Sequence, residues 1–403
     1  MAAEAALSAA PLPARDAASL PERFEFFGVM ALFGMAMLVQ FSIAIAQILL
    51  ALAILCWIGM VLSGHERIQA PRFFWLLMAY AGMTLVSAAF SSNPRLSLVD
   101  SKQLVLFLIV PVTYRFISSR RASLLLTLVM SFGAASAALG IFQYGLLHYD
   151  ELSQRIQGTL GHYMTYSGLL MLVVCIAISK ILFGRGERLW AALVMPALVM
   201  AVALSSTRTA WVGVCAGAAI LLTLKDFRLL ALLPVAAAIT FAAAGPSITA
   251  RMMSTFDSKN ATRLDRIAMI REGGRMVRAH PLVGVGPNMV KERYAEYRGP
   301  DAVNDINPHL HNVPVQIAAE RGLPALAIWL ACMAVLGLDL MRGFRHAPDH
   351  RVVRATAVAA FASMLAAGMF EYNFGDSEFL MLFLLLVTLP FAAARSTTAD
   401  AHA

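Results

Sequence analysis

Along the chain, long apolar runs alternate with short polar segments, and the runs are too long and continuous for strands or one-sided helices. About 20 apolar residues suffice to cross a bilayer core of about 30 Å. In lipid, each run must satisfy its own backbone polar groups, so each is predicted to be a helix. Residues 24–62 are too long for one crossing and divide near 41–46. Further spans are predicted at 73–90, 103–117, 123–147, 163–183, 188–204, 209–224, 229–245, 318–340, 352–370 and 377–394. The pattern therefore predicts an all-α integral membrane protein of about twelve transmembrane helices. Nine lie in 24–245 and three in 318–394, separated by one large helical loop at 246–317, with tails at 1–23 and 395–403.

Composition agrees: of 403 residues, 59% are hydrophobic and 14% charged, more apolar surface than a single water-soluble core hides. The first 23 residues carry Glu4, Arg15 and Asp16 without a compact apolar run, and read as a disordered tail rather than a signal peptide. Cys56, Cys175, Cys215 and Cys332 all fall inside apolar runs, where they read as small buried hydrophobes; their spacing suggests neither a disulfide framework nor a zinc site.

Charge fixes the orientation. Arginine and lysine accumulate in one set of connecting segments, 17 of them, against Arg95, Lys102, Arg155 and Arg208 in the short loops of the other set. The positive-inside bias then places both termini in the cytoplasm. The loop at 246–317 lies on the opposite, outer side and is nonetheless basic, from Arg251 and Lys259 through to Arg298. Long translocated loops escape the topology rule, so these charges point either to a solvated face or to an anionic ligand outside the membrane.

Span interiors carry few charges, and polar residues gather at the outer ends, among them Glu371, Asp376 and Glu378. That favours chemistry at the outer mouth over conduction through the centre. Three stretches stand out. In SSTRTAWVG, Ser205 to Gly213, Arg208 opens a helix, where free N–H groups and a guanidinium suit an anion. In TRLDRIAMIREGGRMVRAHPLVGVGPN, Thr262 to Asn288, Arg271, Arg275 and Arg278 share a side facing water or headgroups. Arg266 and Arg263 fall beside Ile267, Ile270 and Val277.

The third is HLHNVPVQIAAERG, His309 to Gly322, where Asn312, Gln316 and Glu320 recur as a polar stripe from a helix start that suits Pro314. His311 can accept a hydroxyl proton at neutral pH, with His309 as its competitor. The two histidines lack i, i+4 spacing and no acidic pair lies near them in sequence, so no metal is expected. Lys102, at an outer span end, is a further candidate phosphate contact. His162, Tyr163 and Tyr166 could line a lipid cleft or serve as ordinary interfacial aromatics.

Taken together, SSTRTAWVG, HPLVGVGPN about 30 residues before the second histidine, and HNVPVQIAAERGLPA resemble the O-antigen ligase and polymerase superfamily. The resemblance implies a metal-independent, inverting glycosyltransferase with a periplasmic active site in the bacterial inner membrane and no cofactor. Its donor would be O-antigen on undecaprenyl diphosphate, and its acceptor a sugar hydroxyl of lipid A–core. The phospholipid bilayer is its surroundings, and nucleic acid is not a partner. Carried over, His311 is the general base, and Arg208 and Arg266 hold the diphosphate. Arg263 is a rival because Ile270 stands where the family usually has an aromatic residue. Asn312, Gln316 and Glu320 read as support. A polymerase or a protein O-oligosaccharyltransferase would use the same donor; the modest length favours the ligase over the protein-modifying type. A lipid-linked sugar flippase fits the charge-poor interiors poorly.

Overall fold

The computed structural model describes residues 19–63, 67–151, 153–244, 249–250, 253, 261–300, 302–346 and 350–400. Among them the fold is helical, with one isolated bridge between Asp150 and Arg155. Among the described residues, nine helices are long and apolar enough to cross a membrane: Ile43–Leu62, Arg72–Ala89, Pro94–Phe116, Ser119–Leu147, Tyr163–Phe183, Arg208–Lys225, Val313–Arg345, Arg351–Gly368 and Ser377–Arg395. The three remaining expected spans correspond to helices that fall short on charge or length. Leu20–Leu38 opens with Glu22, Arg23 and Glu25, while Arg188–Leu204 has 17 residues and Leu232–Ala244 has 13.

Several boundaries differ from the sequence pattern. The first helix begins at Leu20, within the stretch 1–23 expected as a tail, and residues 1–18 lie outside the described residues, as do Arg251 and Lys259. A capping box at Ser19 and Glu22 draws the helix start outward, with Ser19 N–H donating to Glu22 at 2.8 Å. The last helix runs to Asp400, beyond the expected end at 394. Expected span 103–117 follows a capped short helix, Pro94–Asp100, and its first part is a 3-10 stretch, Ser101–Leu108, that continues as the α-helix Ile109–Phe116.

Two arrangements place the functional ends. In the first, the Arg208–Lys225 helix lies against Arg351–Gly368 through Gly213 and Gly217. A Cβ on Gly217 would stand 2.4 Å from Ser363 Oγ and 2.7 Å from Cys175 Sγ, and the Ser363 hydroxyl donates to the Gly213 carbonyl at 2.7 Å. Small residues at this spacing let helix backbones approach where lipid offers no hydrophobic drive. Gly217→Val should destabilise by about 1–3 kcal/mol through overpacking, read as a lower melting temperature of the purified protein. An unchanged melting temperature would contradict this packing.

The second is a break. Helix Val313–His346 would extend roughly 50 Å at 1.5 Å per residue, longer than a bilayer core of about 30 Å. It is interrupted at Gly322, whose φ of 83° and ψ of 169° are not helical. Residues 313–321 therefore form a separate lead-in turning into the apolar helix. The carbonyls released at the break are taken up by HPLVGVG. Val285 N–H donates to Ala319 O and Gly286 N–H to Glu320 O, both at 2.9 Å, and Leu323 N–H donates to Pro281 O at 2.8 Å. The approach is close enough to require glycine on both sides: a Cβ on Gly284 would meet the Glu320 carbonyl at 2.3 Å, and one on Gly322 the Leu282 oxygen at 2.2 Å. Two stretches that the sequence offers as separate motifs are thus one backbone-paired unit.

Candidate functional site

Arg208 is set by a tight polar turn. The Ser205 hydroxyl donates to Val202 O at 2.7 Å and accepts from Thr207 N–H at 3.3 Å, and Ser206 takes a left-handed φ of 52°. The helix then starts at Arg208, so its unsatisfied N–H groups and the guanidinium share one end.

The loop helix Ala261–Ala279 rests on the lead-in at 313–321. Gly273 lies so close that a Cβ would stand 2.4 Å from Val315, and Met269 and Met276 are buried beside Leu310. This seating turns Arg266 partly inward, whereas Arg263, Arg271, Arg275 and Arg278 are exposed. Burial lowers the Arg266 pKa, opposed by Glu371, Tyr163 and Asp265.

His311 also takes a left-handed backbone, φ 47°, just before its helix, a region in which few residues other than glycine are found. Its neighbours hold it there. Asn312 accepts from Val315 N–H at 3.0 Å and donates to Met369 O at 2.9 Å, and Gln316 accepts from Leu310 N–H at 2.6 Å. The Asn312 tie brings the end of the Arg351–Gly368 helix alongside, and Glu371 contacts His311 Nδ1 at 2.9 Å. His309 stacks edge-on to His311 with ring centroids 4.1 Å apart and lies 3.8 Å from the other Glu371 oxygen.

The electrostatics separate Glu371 from His309. Burial pushes the His309 pKa down to about 4, helped by the charges of His311, His162 and Arg266 and opposed by Glu371. Burial alone would raise Glu371, but the His311 hydrogen bond and the charges of His311, His309 and Arg266 outweigh it and lower the carboxyl. Glu371 is therefore an anion at neutral pH and His309 is neutral.

These elements enclose a cavity of about 520 Å³ lined by Arg155, Arg208, Arg263, Arg266 and His311, together with Val212, Ile267, Ile270, Met369 and Phe370. The structure thus brings four expected residues, Arg208, Arg266, Arg263 and His311, to one space. Lys102 is not among them. It is exposed in the 3-10 turn, and its charge bears on Asp100. Asn312, Gln316 and Glu320 are buried and do not line the cavity; Glu320 pairs with Arg321 at 2.5 Å. Tyr163 lines the cavity with Arg155 over its ring at 4.3 Å, whereas Tyr166 is buried and its hydroxyl donates to Ser136 O.

Two participants escaped the sequence reading. Arg155 counted there only as a loop charge. Glu371 was noted as an outer polar residue but not as a partner of His311, 60 positions away. Glu371 also changes the metal question, because it converges with His309 and His311 so that one ligand atom from each lies within 4.8 Å of the others. Two histidines and a carboxylate are a zinc donor set. Hydrogen bonding serves part of this set instead, with His311 Nδ1 engaged by Glu371 at 2.9 Å and His311 lining the cavity.

The arrangement offers clustered guanidinium groups for an anion, a histidine oriented by a carboxylate for proton transfer, and apolar walls for a lipid. Residues 193–330 match a family model described as O-antigen ligase, a segment that includes Arg208, Arg263, Arg266, His309 and His311. A comparison with curated proteins gave no match.

Proposed function

We propose that this multi-pass chain, whose residues 193–330 match a family model described as O-antigen ligase, is an O-antigen ligase within a superfamily of membrane glycosyltransferase-like enzymes acting on lipid-linked polysaccharide. It takes O-antigen from undecaprenyl diphosphate and transfers it to a sugar hydroxyl of lipid A–core at the periplasmic face of the inner membrane. The observation that carries this is the single cavity uniting Arg208, Arg266 and Arg263 with the His311–Glu371 pair.

Arg208 and Arg266 hold the diphosphate, with Arg263 and Arg155 at its rim. His311 Nε2 removes the acceptor proton, and the freed oxygen attacks the anomeric carbon. The bond from that carbon to the diphosphate oxygen breaks, and undecaprenyl diphosphate departs on the arginines. Attack opposite the leaving group inverts the anomeric centre. Glu371 keeps His311 in register and balances the imidazolium that forms. His309 is a poor alternative base: its pKa near 4 leaves it free of a proton but weakly basic. Asn312, Gln316 and Glu320 serve as scaffold.

A lipid-linked donor also suits a groove of about 710 Å³ between Val313–His346 and Arg351–Gly368. Its walls are apolar, and Met369 lines both it and the arginine cavity. Purified protein given the lipid-linked glycan with lipid A–core, and then the glycan donor alone, tests the reaction. Product on lipid A–core supports a ligase, whereas a longer lipid-linked glycan in its place identifies a polymerase. The reaction is proposed to need no metal, with Glu371 hydrogen-bonded to His311 and the His309 ring packed against His311. Transfer should persist in excess EDTA; abolition reversed by Zn²⁺ or Mg²⁺ would overturn this.

A further inference from the structure

The edge-on rings of His309 and His311 border two different cavities. His311 lines the arginine cavity, and His309 lines a second of about 200 Å³ set among the helix ends; Met164 and Thr209 line both. The chemistry of the second cavity is the reverse of the first. It has no arginine or lysine in its lining and carries two carboxylates, Glu371 and Asp376, with Thr165, His162 and Asn373. A diphosphate would be repelled there, while hydroxyl groups find acceptors.

Two of its lining residues carry a buried polar atom with no hydrogen-bond partner among the described residues: His309 Nδ1 and Asn373 Oδ1. Asn373 is only 7% exposed, and its amide nitrogen is engaged by Met364 O at 3.1 Å, which leaves the oxygen unserved. Unpaired buried polar atoms cost free energy. A ligand rich in hydroxyls would satisfy them once a small side-chain shift uncovers them.

Resting on the glycosyltransferase reading above, we propose that this second cavity seats the terminal sugar ring of the acceptor. Its hydroxyls donate to Asp376 and to Asn373 Oδ1, and the reactive hydroxyl is delivered to His311 from the side away from the diphosphate. Inverting attack needs nucleophile and leaving group on opposite sides of the anomeric carbon. A basic cavity for the diphosphate and an acidic one for a neutral sugar, each bordered by one of the two histidines, supply that separation. Asp376 and Thr165 then help to select the acceptor. Asp376 accepts from Phe379 N–H at 2.9 Å at a helix start and from the Thr165 hydroxyl.

The test uses the full protein with the lipid-linked glycan donor and a series of lipid A–core concentrations. Asp376→Asn keeps a capping side chain for Phe379 N–H but removes the charge; Thr165→Val removes one hydroxyl. The acceptor KM should rise about tenfold or more for Asp376→Asn and about threefold to tenfold for Thr165→Val. Binding of undecaprenyl diphosphate alone should stay within about twofold of wild type in both, and melting temperatures should confirm that both variants fold. An unchanged acceptor KM in both folded variants would mean a merely hydrated cavity and overturn the proposal. So would a rise in donor KM without one in acceptor KM, which would assign the space to the donor glycan. Failure of the reaction reading itself is separately visible, as absence of saccharide transfer by the wild type.

Discussion

His311→Ala is expected to lower glycan transfer by about 10²- to 10⁴-fold, the usual contribution of a positioned acid–base group, with membrane insertion and protein level retained. The effect should be that large because no neighbour can take over. Glu371 is spent on orienting His311, at 2.9 Å from Nδ1, and His309 is too weak a base with its pKa pushed down to about 4. Glu371→Gln should lose less than His311→Ala, because the amide can still engage Nδ1 while no longer balancing the imidazolium. Transfer rates measured on purified variants decide the matter. Full transfer by His311→Ala, with loss in His309→Ala instead, would move the base to His309.

The second large effect is expected at Arg208. Removing one preorganised group that stabilises a departing oxyanion typically costs about 10²- to 10³-fold, and Arg208→Ala should fall in that range. Arg208→Lys should recover part of this and not all, since an ammonium keeps the charge but loses the planar two-pronged contact with a phosphate. Arg266→Lys should behave alike, because Arg266 is turned partly inward, whereas exposed Arg263 should tolerate the change better. Steady-state rates and donor KM values read the difference. Wild-type values for both lysine variants would remove these arginines from the diphosphate site.

What was legible in the sequence was local. Apolar runs of the right length announce membrane helices because lipid leaves the backbone no other choice. Ser205 to Arg208 reads as a helix start, and His311-Asn312 as another, because capping chemistry is written within a few residues. The three expected crossings that are more charged or shorter than the other nine are also local in origin. Hydropathy alone does not reveal that Glu22, Arg23 and Glu25 open the first helix or that two apolar stretches become helices of only 17 and 13 residues.

The illegible parts depend on distant segments meeting. Gly322 looks like a residue inside a span until the HPLVGVG backbone arrives to take its released carbonyls, and only then is the polar stripe of Asn312, Gln316 and Glu320 cut off as its own short helix. Glu371 could not be matched with His311 from spacing, since the tie runs through Asn312 to Met369 O. Lys102 lies outside the cavity for the opposite reason. A basic residue at an outer span end satisfies the pattern whether or not the turn carrying it aims inward, and here it is exposed. Arg155 was hidden in a topology count, and its place in the cavity became visible with Tyr163 beneath it.

The division of labour between arginines and histidine can be tested without turnover, by measuring the affinity of undecaprenyl diphosphate for wild type, Arg208→Ala and His311→Ala. If the arginines hold the leaving group and His311 acts only on the acceptor proton, Arg208→Ala should bind at least about tenfold more weakly, while His311→Ala binds as wild type does. Equal binding by Arg208→Ala and wild type, or a loss confined to His311→Ala, would contradict a diphosphate site built on these arginines.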